Sequence, residues 1–373
     1  MKKKINMIIN DTPLTVDDGI TIMEAAKQIG VEIPRLCYLK GIHEESNCRV
    51  CVVEIEGMAG LNSSCSVKVF EGMNVTTNSK EIKKAVEKNL ELVAANHVFE
   101  CWVCSREHNC ELLDLMRTNN VANTLGEDAK FTKRERVIND SSVAIVLDSG
   151  KCTLCGRCIS ACHKQASTHV LDFNNRGVDT IVGPAQLLPM ETSGCILCGK
   201  CIQACPVAAI KEKDDLEILE DYLDDDDKFV IVQAAPSVRV ALGEEFGMDY
   251  GFDVEGKMYT AFNELGFDDI ADTNFGADLT IMEEGNEFIE KLKDPNAKFP
   301  MFTSCSPGWV RYIEQYRQEY LGHLSSAKSP HQMAGAVIKH YYAKKINVDP
   351  KKVVNVSVMP CIAKKFESAR PEM

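Results

Sequence analysis

Fifteen of the seventeen cysteines in this 373-residue chain, together with one histidine, stand at the short intervals that ligate metal clusters. The first group has the spacing C-x10-C-x2-C-x13-C and consists of Cys37, Cys48, Cys51 and Cys65. Four thiolates can hold a [2Fe–2S] cluster, and the first three lie in one loop that can wrap around it. A zinc site is the alternative, because zinc also takes four cysteines. The long first interval and the small β-rich surroundings favour iron and sulfur.

A histidine begins the second group, which has the spacing H-x3-C-x2-C-x5-C and consists of His97, Cys101, Cys104 and Cys110. Three cysteines leave a four-coordinate cluster one ligand short, and His97 stands one helical turn before Cys101. We therefore expect His97 to be the fourth ligand of a [4Fe–4S] cluster. The alternative is a histidine with a structural role near the end of a helix.

The third and fourth groups are two copies of the motif C-x2-C-x2-C-x3-C. In bacterial two-cluster ferredoxins this motif is also duplicated, and each fourth cysteine ligates the cluster of the other copy. One [4Fe–4S] cluster is therefore predicted on Cys152, Cys155, Cys158 and Cys205. The other is predicted on Cys195, Cys198, Cys201 and Cys162. The chain is thus expected to hold one [2Fe–2S] and three [4Fe–4S] clusters, which pass single electrons along a protein.

Short elements with clear local signals surround these groups. Alternating apolar and polar residues predict strands, small polar residues predict turns and helix caps, and a four-residue apolar period predicts an amphipathic helix. The predicted elements before residue 97 are a strand over 4–9, a turn over 17–19, a helix over 21–29 capped by Thr21, a strand over 52–55 and a helix over 79–96.

The rest of the chain alternates between connecting and regular segments. Residues 113–145 are polar and predict a connector, and the acidic run 221–227 predicts a solvated linker, because the spacing of a calcium loop is absent. The sequence FVIVQAAP, which begins at Phe229, predicts a buried strand followed by a loop. Further strands are predicted over 299–302 and 353–358. Helical stretches between these strands indicate an α/β domain with a largely parallel sheet.

Composition and charge exclude several classes of protein. A formal net charge of −13 argues against nonspecific nucleic-acid binding, which usually needs a basic surface. The sequence holds no apolar stretch of about 20 residues, so we expect no membrane span. The amino-terminal segment lacks a secretory cleavage site, which predicts a cytoplasmic protein. In that compartment many cysteines favour metal binding over disulfides.

Two cysteines outside the four groups, Cys305 and Cys361, each lie just past a predicted strand, where α/β sheets build their sites. Their surroundings are TSCSPGW, residues 303–309, and MPCIAKKFE, residues 359–367. These segments resemble the first two signature motifs of the [FeFe]-hydrogenase large-subunit family. With the cluster groups upstream, the resemblance extends over essentially the whole chain. The order of the modules is similar to that of the multi-cluster, NAD(P)-linked, electron-bifurcating members.

The resemblance implies an α+β multidomain fold. Its parts are a β-grasp [2Fe–2S] ferredoxin-like domain over 1–78, a [4Fe–4S] domain with one histidine and three cysteine ligands over 79–120, a two-cluster [4Fe–4S] ferredoxin-like domain over 140–215, and a truncated α/β hydrogenase-like domain over 229–373.

The resemblance also implies roles around the family's catalytic H-cluster, a [4Fe–4S] cubane bridged by cysteine to a diiron centre. Cys305 corresponds to the proton-relay thiol, Ser306 to the position of the first cubane ligand and Cys361 to the second ligand. Lys364 corresponds to the lysine that contacts a cyanide of the diiron centre. The remainder of the proton path corresponds to Glu284, Glu287 and Ser325. Without a cubane, Cys305 and Cys361 would instead be small buried hydrophobic residues.

The third signature motif of the family, which supplies the last two cubane cysteines, does not occur in this sequence. Two ligands do not close a cubane site. We therefore expect the H-cluster to be absent and the chain by itself not to turn over hydrogen. The chain is interpreted as cut short before that motif.

The resemblance implies an electron-transfer subunit of a flavin-dependent, bifurcating NAD(P)H/ferredoxin oxidoreductase or transhydrogenase complex of an anaerobe. Expected partners are a flavin- and NADH-binding iron–sulfur subunit, a small [2Fe–2S] subunit and ferredoxin. No G-x-G-x-x-G follows a predicted strand here, so nucleotide and flavin would bind the partners. Three alternatives are a truncated catalytic subunit of an [FeFe]-hydrogenase, a large subunit of the respiratory complex I type and a zinc-stabilised interaction protein.

Overall fold

A computed structural model describes residues 3–128 and 130–373 of the chain. The first two residues of the predicted 1–78 domain and Ala129 of the predicted connector therefore lie outside the described residues. The chain divides into two compact units, Met1–Cys195 with Lys200–Lys211, and Ile196–Gly199 with Glu212–Met373. Both units mix helices and strands, so the fold is α+β as predicted. Among the described helices, none combines the length and apolar character that crossing a membrane requires.

The first cysteine group lies in a domain built on a five-stranded mixed sheet with the order β2-β1-β5-β3-β4. The strands are β1 (Lys4–Ile9), β2 (Thr12–Asp17), β3 (Val52–Ile55), β4 (Leu61–Ser63) and β5 (Met73–Thr76). Strand β1 pairs antiparallel with β2 and parallel with β5. Alternate residues of β1 are buried, as the sequence pattern predicts. The apolar core beneath the sheet also takes in Cys51 and Cys65.

Two helices begin at the predicted caps. Helix α1 (Ile22–Gln28) follows Thr21, whose hydroxyl accepts a hydrogen bond from the Glu24 amide. The Glu24 carboxylate accepts one from the Thr21 amide in return, which completes a capping box. Helix α2 (Lys80–Ala94) follows Ser79, whose hydroxyl accepts a hydrogen bond from the backbone of the first helical turn. The buried residues of its predicted apolar stripe are Ile82, Val86 and Leu90.

The prediction that residues 113–145 form a plain connector is wrong. This segment contains most of α3 (Glu111–Thr118), all of α4 (Thr124–Glu127) and strand β6 (Ile138–Asn139). Helix α3 buries Leu112 and Met116, which stand four residues apart on one face. One such pair in a polar stretch is a weak helix signal, so tertiary packing decides the conformation.

The duplicated cysteine motif lies among short elements of the first unit. Helices α5 (Arg157–Lys164) and α6 (Lys200–Ala204) each contain part of one copy of the motif and pack against each other. A three-stranded sheet with the order β10-β7-β6 and a hairpin of β8 and β9 flank them. The bounds are β7 (Ile145–Asp148), β8 (Asp172–Asn174), β9 (Ile181–Gly183) and β10 (Ile210–Glu212).

The second unit is built on a parallel three-stranded sheet with the order β12-β11-β13. Its strands are β11 (Phe229–Ala234), β12 (Asp269–Asp272) and β13 (Val353–Val358). Successive residues of β11 enter two separate apolar cores, because side chains alternate across a strand. Helices cover both faces, as the alternating pattern of the sequence predicts.

The helices of this unit are α7 (Leu216–Leu223), α8 (Pro236–Glu245), α9 (Glu255–Glu264), α10 (Thr273–Lys293), α11 (Pro307–Tyr316), α12 (Pro330–Val337), α13 (Ala343–Lys345) and α14 (Ala363–Ser368). A π-helical turn, Ile338–Tyr342, joins α12 to α13.

Three sequence predictions in this unit need correction. The strand over 299–302 is wrong, because only Phe302 forms an isolated bridge and Pro300 has no amide to donate. The acidic run 221–227 is in part helical, since α7 continues to Leu223 and packs apolar side chains on the core. The loop expected after β11 is a single residue, because α8 begins at Pro236, a favoured first position.

Candidate metal-cluster sites

The first four cysteines lie close together beside the five-stranded sheet. Cys37, Cys51 and Cys65 are buried, and Cys48 is partly exposed. A hydrogen bond between Cys37 and Cys48 raises the pKa of Cys37 and lowers the pKa of Cys48 to about 6. A second pair behaves alike, since hydrogen bonding with Cys51 lowers the pKa of Cys65 to about 7 and raises that of Cys51. In each pair one thiol resists ionisation, so a cationic metal centre would be needed to make all four groups thiolates.

Neighbouring elements fix the loop that carries these cysteines. The Ser64 hydroxyl, next to β4, donates to the Cys51 carbonyl at 2.8 Å. The Asn89 amide of α2 donates to the Arg49 carbonyl at 2.6 Å, while the Arg49 guanidinium donates to Ser63 at 2.6 Å. Arg49 has a positive φ of 55°, which bends the chain around the cysteines. The sheet and α2 therefore hold the ligand loop from both sides.

His97 is oriented for ligation by one hydrogen bond. It follows α2, is only 9% exposed, and its Nδ1 lies 2.9 Å from the Lys151 carbonyl oxygen. A carbonyl only accepts, so Nδ1 carries the proton and Nε2 presents its lone pair. Burial lowers the pKa of His97, which favours the neutral imidazole that binds metals.

The cysteines of this group lie in the two short helical turns between His97 and α3. Cys101 begins the first 3₁₀ turn, Cys104 ends it, and Cys110 precedes α3. Burial raises the pKa of Cys110, and the nearby Cys104 and Cys101 raise it further. The structure therefore brings the three predicted cysteine ligands near one another.

Cys152, Cys155, Cys158 and Cys205 line one pocket of the first unit. Apolar side chains complete its wall, among them Leu147, Val182, Val207 and Ile210. Burial raises the pKa of Cys152 to about 11 and that of Cys155 to about 12. The Leu154 amide lies 3.4 Å from the Cys152 sulfur as a hydrogen-bond donor. Cys205, from the second copy of the motif, thus lies with the cysteines of the first.

The two copies of the motif share an unusual backbone conformation. The second and fourth residues after the first cysteine have positive φ in both copies, at Leu154 and Gly156 and again at Leu197 and Gly199. Cys162 accepts a hydrogen bond from the Val170 amide at 3.3 Å. Cys201 is buried, Cys195 partly exposed and Cys198 exposed. Cys198 belongs to the segment Ile196–Gly199 of the second unit, whereas the other three lie in the first unit.

Within the described part of the chain, no group of three or more His, Cys, Asp and Glu side chains is placed to hold a metal ion.

Two buried arginines next to cysteines carry no signal in the sequence. Arg134 donates to the carbonyls of Ser149 at 2.9 Å and Cys152 at 2.6 Å. Arg157 precedes Cys158 and bonds to residues that follow two other cysteines. The residues that each arginine bonds to lie too far along the chain for a short sequence motif to encode the contact.

Cys305 and Cys361 are both exposed, so the alternative of small buried hydrophobic residues is wrong for this structure. Cys361 lies in the loop after β13 and Cys305 in the loop before α11, and neither belongs to the two apolar cores of the sheet. Lys364 donates to the Cys305 carbonyl at 3.0 Å and to the Glu367 carboxylate at 2.8 Å. Ser306 is exposed at the N-cap of α11. The residues of the two signature segments therefore meet through Lys364.

The predicted proton-path residues are partly brought together. Ser325 donates to Glu287 at 2.7 Å, and Lys291 lies 3.0 Å from the same carboxylate. Burial opposes ionisation of Glu287, but hydrogen bonds from Ser325 and Lys291 lower its pKa overall. Glu284 lies one turn away on α10, with Oε1 buried and without a hydrogen-bond partner among the described residues.

A buried polar network behind Lys364 is absent from the sequence prediction. The Glu367 carboxylate, 3% exposed, accepts from Lys364 and lies 3.3 Å from His331 Nδ1. The other nitrogen of His331 lies 2.5 Å from the Ser357 hydroxyl. Burial opposes ionisation, but hydrogen bonds from His331 and Lys364 lower the pKa of Glu367 overall. The sequence offers only the position of Glu367 at the end of MPCIAKKFE as a signal.

Four family models match consecutive parts of the chain. They are a 2Fe-2S iron-sulfur cluster binding domain at residues 2–80, the NADH-ubiquinone oxidoreductase-G iron-sulfur binding region at 87–124, a 4Fe-4S dicluster domain at 147–209 and the iron only hydrogenase large subunit, C-terminal domain at 228–373. The chain therefore contains [2Fe–2S]- and [4Fe–4S]-binding domains.

Three relatives share sequence identity with this chain and are longer than the part that matches it. Iron hydrogenase 1 of Clostridium pasteurianum is 42% identical over 98% of this chain and 63% of its own length. The NADP-reducing hydrogenase subunit HndD of Solidesulfovibrio fructosivorans is 41% identical over 99% of this chain and 64% of its own length. An NADH-quinone oxidoreductase subunit of Rhizobium meliloti is 32% identical over 48% of this chain and 21% of its own length. The chain thus spans less than two thirds of each of these relatives.

Proposed function

Because the chain belongs to the iron-only hydrogenase large-subunit family, we propose that it is an oxidoreductase subunit that carries electrons through iron–sulfur clusters. Its four groups of ligands would hold one [2Fe–2S] and three [4Fe–4S] clusters, and these clusters would accept and release single electrons. The protein supplies thiolates, buried surroundings and hydrogen bonds that set the separation and the potential of each cluster.

One observation carries this proposal: short hydrogen bonds connect the ligand loops of three groups. The imidazole of His97 donates to the carbonyl of Lys151, the residue before Cys152. The amide of Asn47, the residue before Cys48, lies 3.2 Å from the Cys155 carbonyl. The amide of Glu111, the residue after Cys110, lies 3.1 Å from the Pro206 carbonyl, next to Cys205. The loops of three predicted clusters therefore lie in direct contact, which suits a relay.

Within the second unit, the loop that carries Cys198 lies beside both signature segments. A Cβ placed on Gly199 would be 3.4 Å from Ile362, the residue after Cys361. A Cβ placed on Gly308 would be 3.3 Å from the Ile196 carbonyl oxygen. This proximity supports an electron route that leads from the loop of Cys198 towards Cys305 and Cys361.

The relatives support a place in a larger complex. One relative is an NADP-reducing hydrogenase subunit and another an NADH-quinone oxidoreductase subunit. We propose that this chain works with a flavin- and NADH-binding iron–sulfur subunit and a small [2Fe–2S] subunit. Ferredoxin would be a further redox partner, and the complex would bifurcate electrons between NAD(P)(H) and ferredoxin.

A second candidate function is hydrogen activation as part of an [FeFe]-hydrogenase. The contact of Lys364 with Cys305 and the hydrogen bond from Ser325 to Glu287 favour it, because these residues match the family's catalytic positions. The two candidates share the relay and differ in whether electrons end at a hydrogen-activating centre.

Anaerobic purification with iron, sulfide and hydrogen measurements tests both candidates. The relay predicts about fourteen irons per chain, two from a [2Fe–2S] and twelve from three [4Fe–4S] clusters. It also predicts EPR signals of both cluster types after reduction and no hydrogen evolution from reduced methyl viologen. Hydrogen evolution would favour the second candidate. A colourless protein that holds zinc and gives no EPR signal would contradict both.

A further inference from the structure

Arg157 connects three of the predicted cluster loops through one buried guanidinium. Its Nη1 and Nη2 donate to the two carboxylate oxygens of Glu111 at 2.6 and 2.8 Å. Nη2 also donates to the Tyr38 carbonyl at 3.0 Å. Tyr38 follows Cys37, Glu111 follows Cys110, and Arg157 itself precedes Cys158. Arg157, 3% exposed, therefore links the loop of its own group to residues next to a ligand in each of two other groups.

The chemistry of arginine suits this place. Its planar fork binds a carboxylate with two parallel hydrogen bonds and stays charged, whereas a lysine ammonium offers a single point of charge. The Nε–H of Arg157 is buried and has no hydrogen-bond partner among the described residues. The two parallel hydrogen bonds to the Glu111 carboxylate therefore hold the cation in this buried place.

We propose that Arg157 is a positioning residue that fixes three cluster loops relative to one another and raises the reduction potential of the clusters beside it. This inference rests on the proposed relay function. Reduction adds an electron and so negative charge to a cluster, and a fixed cation in buried surroundings stabilises the reduced state more than the oxidised state. The clusters concerned are those of the Cys37 group and of the Cys152 group, because the guanidinium bonds to the residue after Cys37 and Arg157 itself precedes Cys158.

An EPR-monitored redox titration of three variants of the full chain tests this inference. Arg157→Met removes the charge and all three hydrogen bonds, so both potentials should move to more negative values. Arg157→Lys keeps the charge without the fork, so both potentials should stay closer to those of the unchanged chain. Arg239→Met is the matched control, because Arg239 forms an ion pair with Glu255 at 2.8 Å in the second unit. It should leave both potentials unchanged.

Two results would overturn the inference. One is an Arg157→Met variant with full iron and unchanged potentials, and the other is an Arg157→Lys variant whose potentials fall as far as those of Arg157→Met. If Arg157→Met loses iron from these groups while Arg157→Lys retains it, the positioning role is supported. Failure of the relay function itself is seen separately, because the unchanged chain would then contain no clusters to titrate.

Discussion

At the scale of single residues, a hydrogen bond to the ring of His97 determines what this side chain can do. The Lys151 carbonyl accepts from Nδ1, so Nε2 is left as the metal-binding atom. The same carbonyl belongs to the residue before Cys152, a predicted ligand of the next cluster. The bond therefore orients a candidate ligand and also brings two cluster loops into contact.

Replacing His97 by cysteine should lower the reduction potential of the second cluster. A neutral imidazole leaves a cluster one negative charge less than a thiolate does, which favours reduction, as histidine ligation does in Rieske centres. His97→Cys adds that charge, so an EPR-monitored titration should show a more negative midpoint. His108→Cys is the control, since His108 is exposed in the same segment and outside the predicted ligand set. Equal midpoints in His97→Cys and the unchanged chain would argue against ligation by His97.

Glu367 should contribute strongly to the stability of the second unit. Its carboxylate is buried between Lys364 and His331, so Glu367→Gln leaves a buried cation without its partner and should cost about 3 kcal/mol of unfolding free energy. The lowered pKa of Glu367 means that this stabilisation is complete above the ordinary carboxyl range and is lost as pH falls through the lowered value. Denaturant unfolding at pH 7 therefore measures all of it.

The control for this substitution is Glu290→Gln, because Glu290 is exposed on α10. Its unfolding midpoint should equal that of the unchanged chain. A similar midpoint for Glu367→Gln would mean that the network of Lys364, Glu367 and His331 does not stabilise the fold.

At the scale of elements, the capping box of α1 is expected to stabilise the domain that carries the first cysteine group. Thr21→Ala removes the hydroxyl that accepts from the Glu24 amide and should cost about 1 kcal/mol. Thermal unfolding under anaerobic conditions measures the loss. Thr118→Ala is the control, because Thr118 is exposed in the last turn of α3, where a cap hydroxyl has no role. Equal unfolding temperatures for both variants would contradict a stabilising cap.

Elements with local signals could be predicted from the sequence, and those that depend on distant contacts could not. Strands β1, β3 and β13 have the predicted bounds, because alternation or apolar runs define them. The predicted strand over 299–302 is wrong, since Pro300 interrupts pairing. Helix α3 escapes prediction, because its apolar face is a single pair stabilised by packing.

The same contrast holds for the candidate sites. The spacing of cysteines groups the ligands, and the structure places Cys205 in the pocket of Cys152, Cys155 and Cys158. The partners of these ligands come from far along the chain. Arg157 bonds to Tyr38, which is 119 residues away in the sequence, and the Lys151 carbonyl bonds to His97, which is 54 residues away. No short motif encodes such a partner. The structure is therefore needed to identify the roles of Arg134, Arg157 and His331.

At the scale of the whole molecule, apolar cores support the main sheet of each unit, and one segment also carries a pocket lined by cysteines. The parallel sheet of the second unit lies between two apolar cores. The segment 149–205, most of which belongs to the first unit, has short helices and turns, and four of its cysteines line one pocket. Metal binding by ligands from several turns is coupled to local folding, so the segment is predicted to depend on bound metal for its order.

Iron removal should therefore loosen segment 149–205 and leave the second unit's sheet intact. Hydrogen exchange with mass spectrometry, on anaerobic samples with and without iron, measures this. Peptides that contain Leu154 and Cys158 should lose protection, because the predicted metal–thiolate bonds of this segment would be lost. Peptides that contain Ile231 and Val232 of β11 should keep protection, since these residues are almost fully buried among apolar side chains. Unchanged protection around Leu154 would show that packing alone orders the segment, and equal loss at β11 would show that the units do not unfold separately.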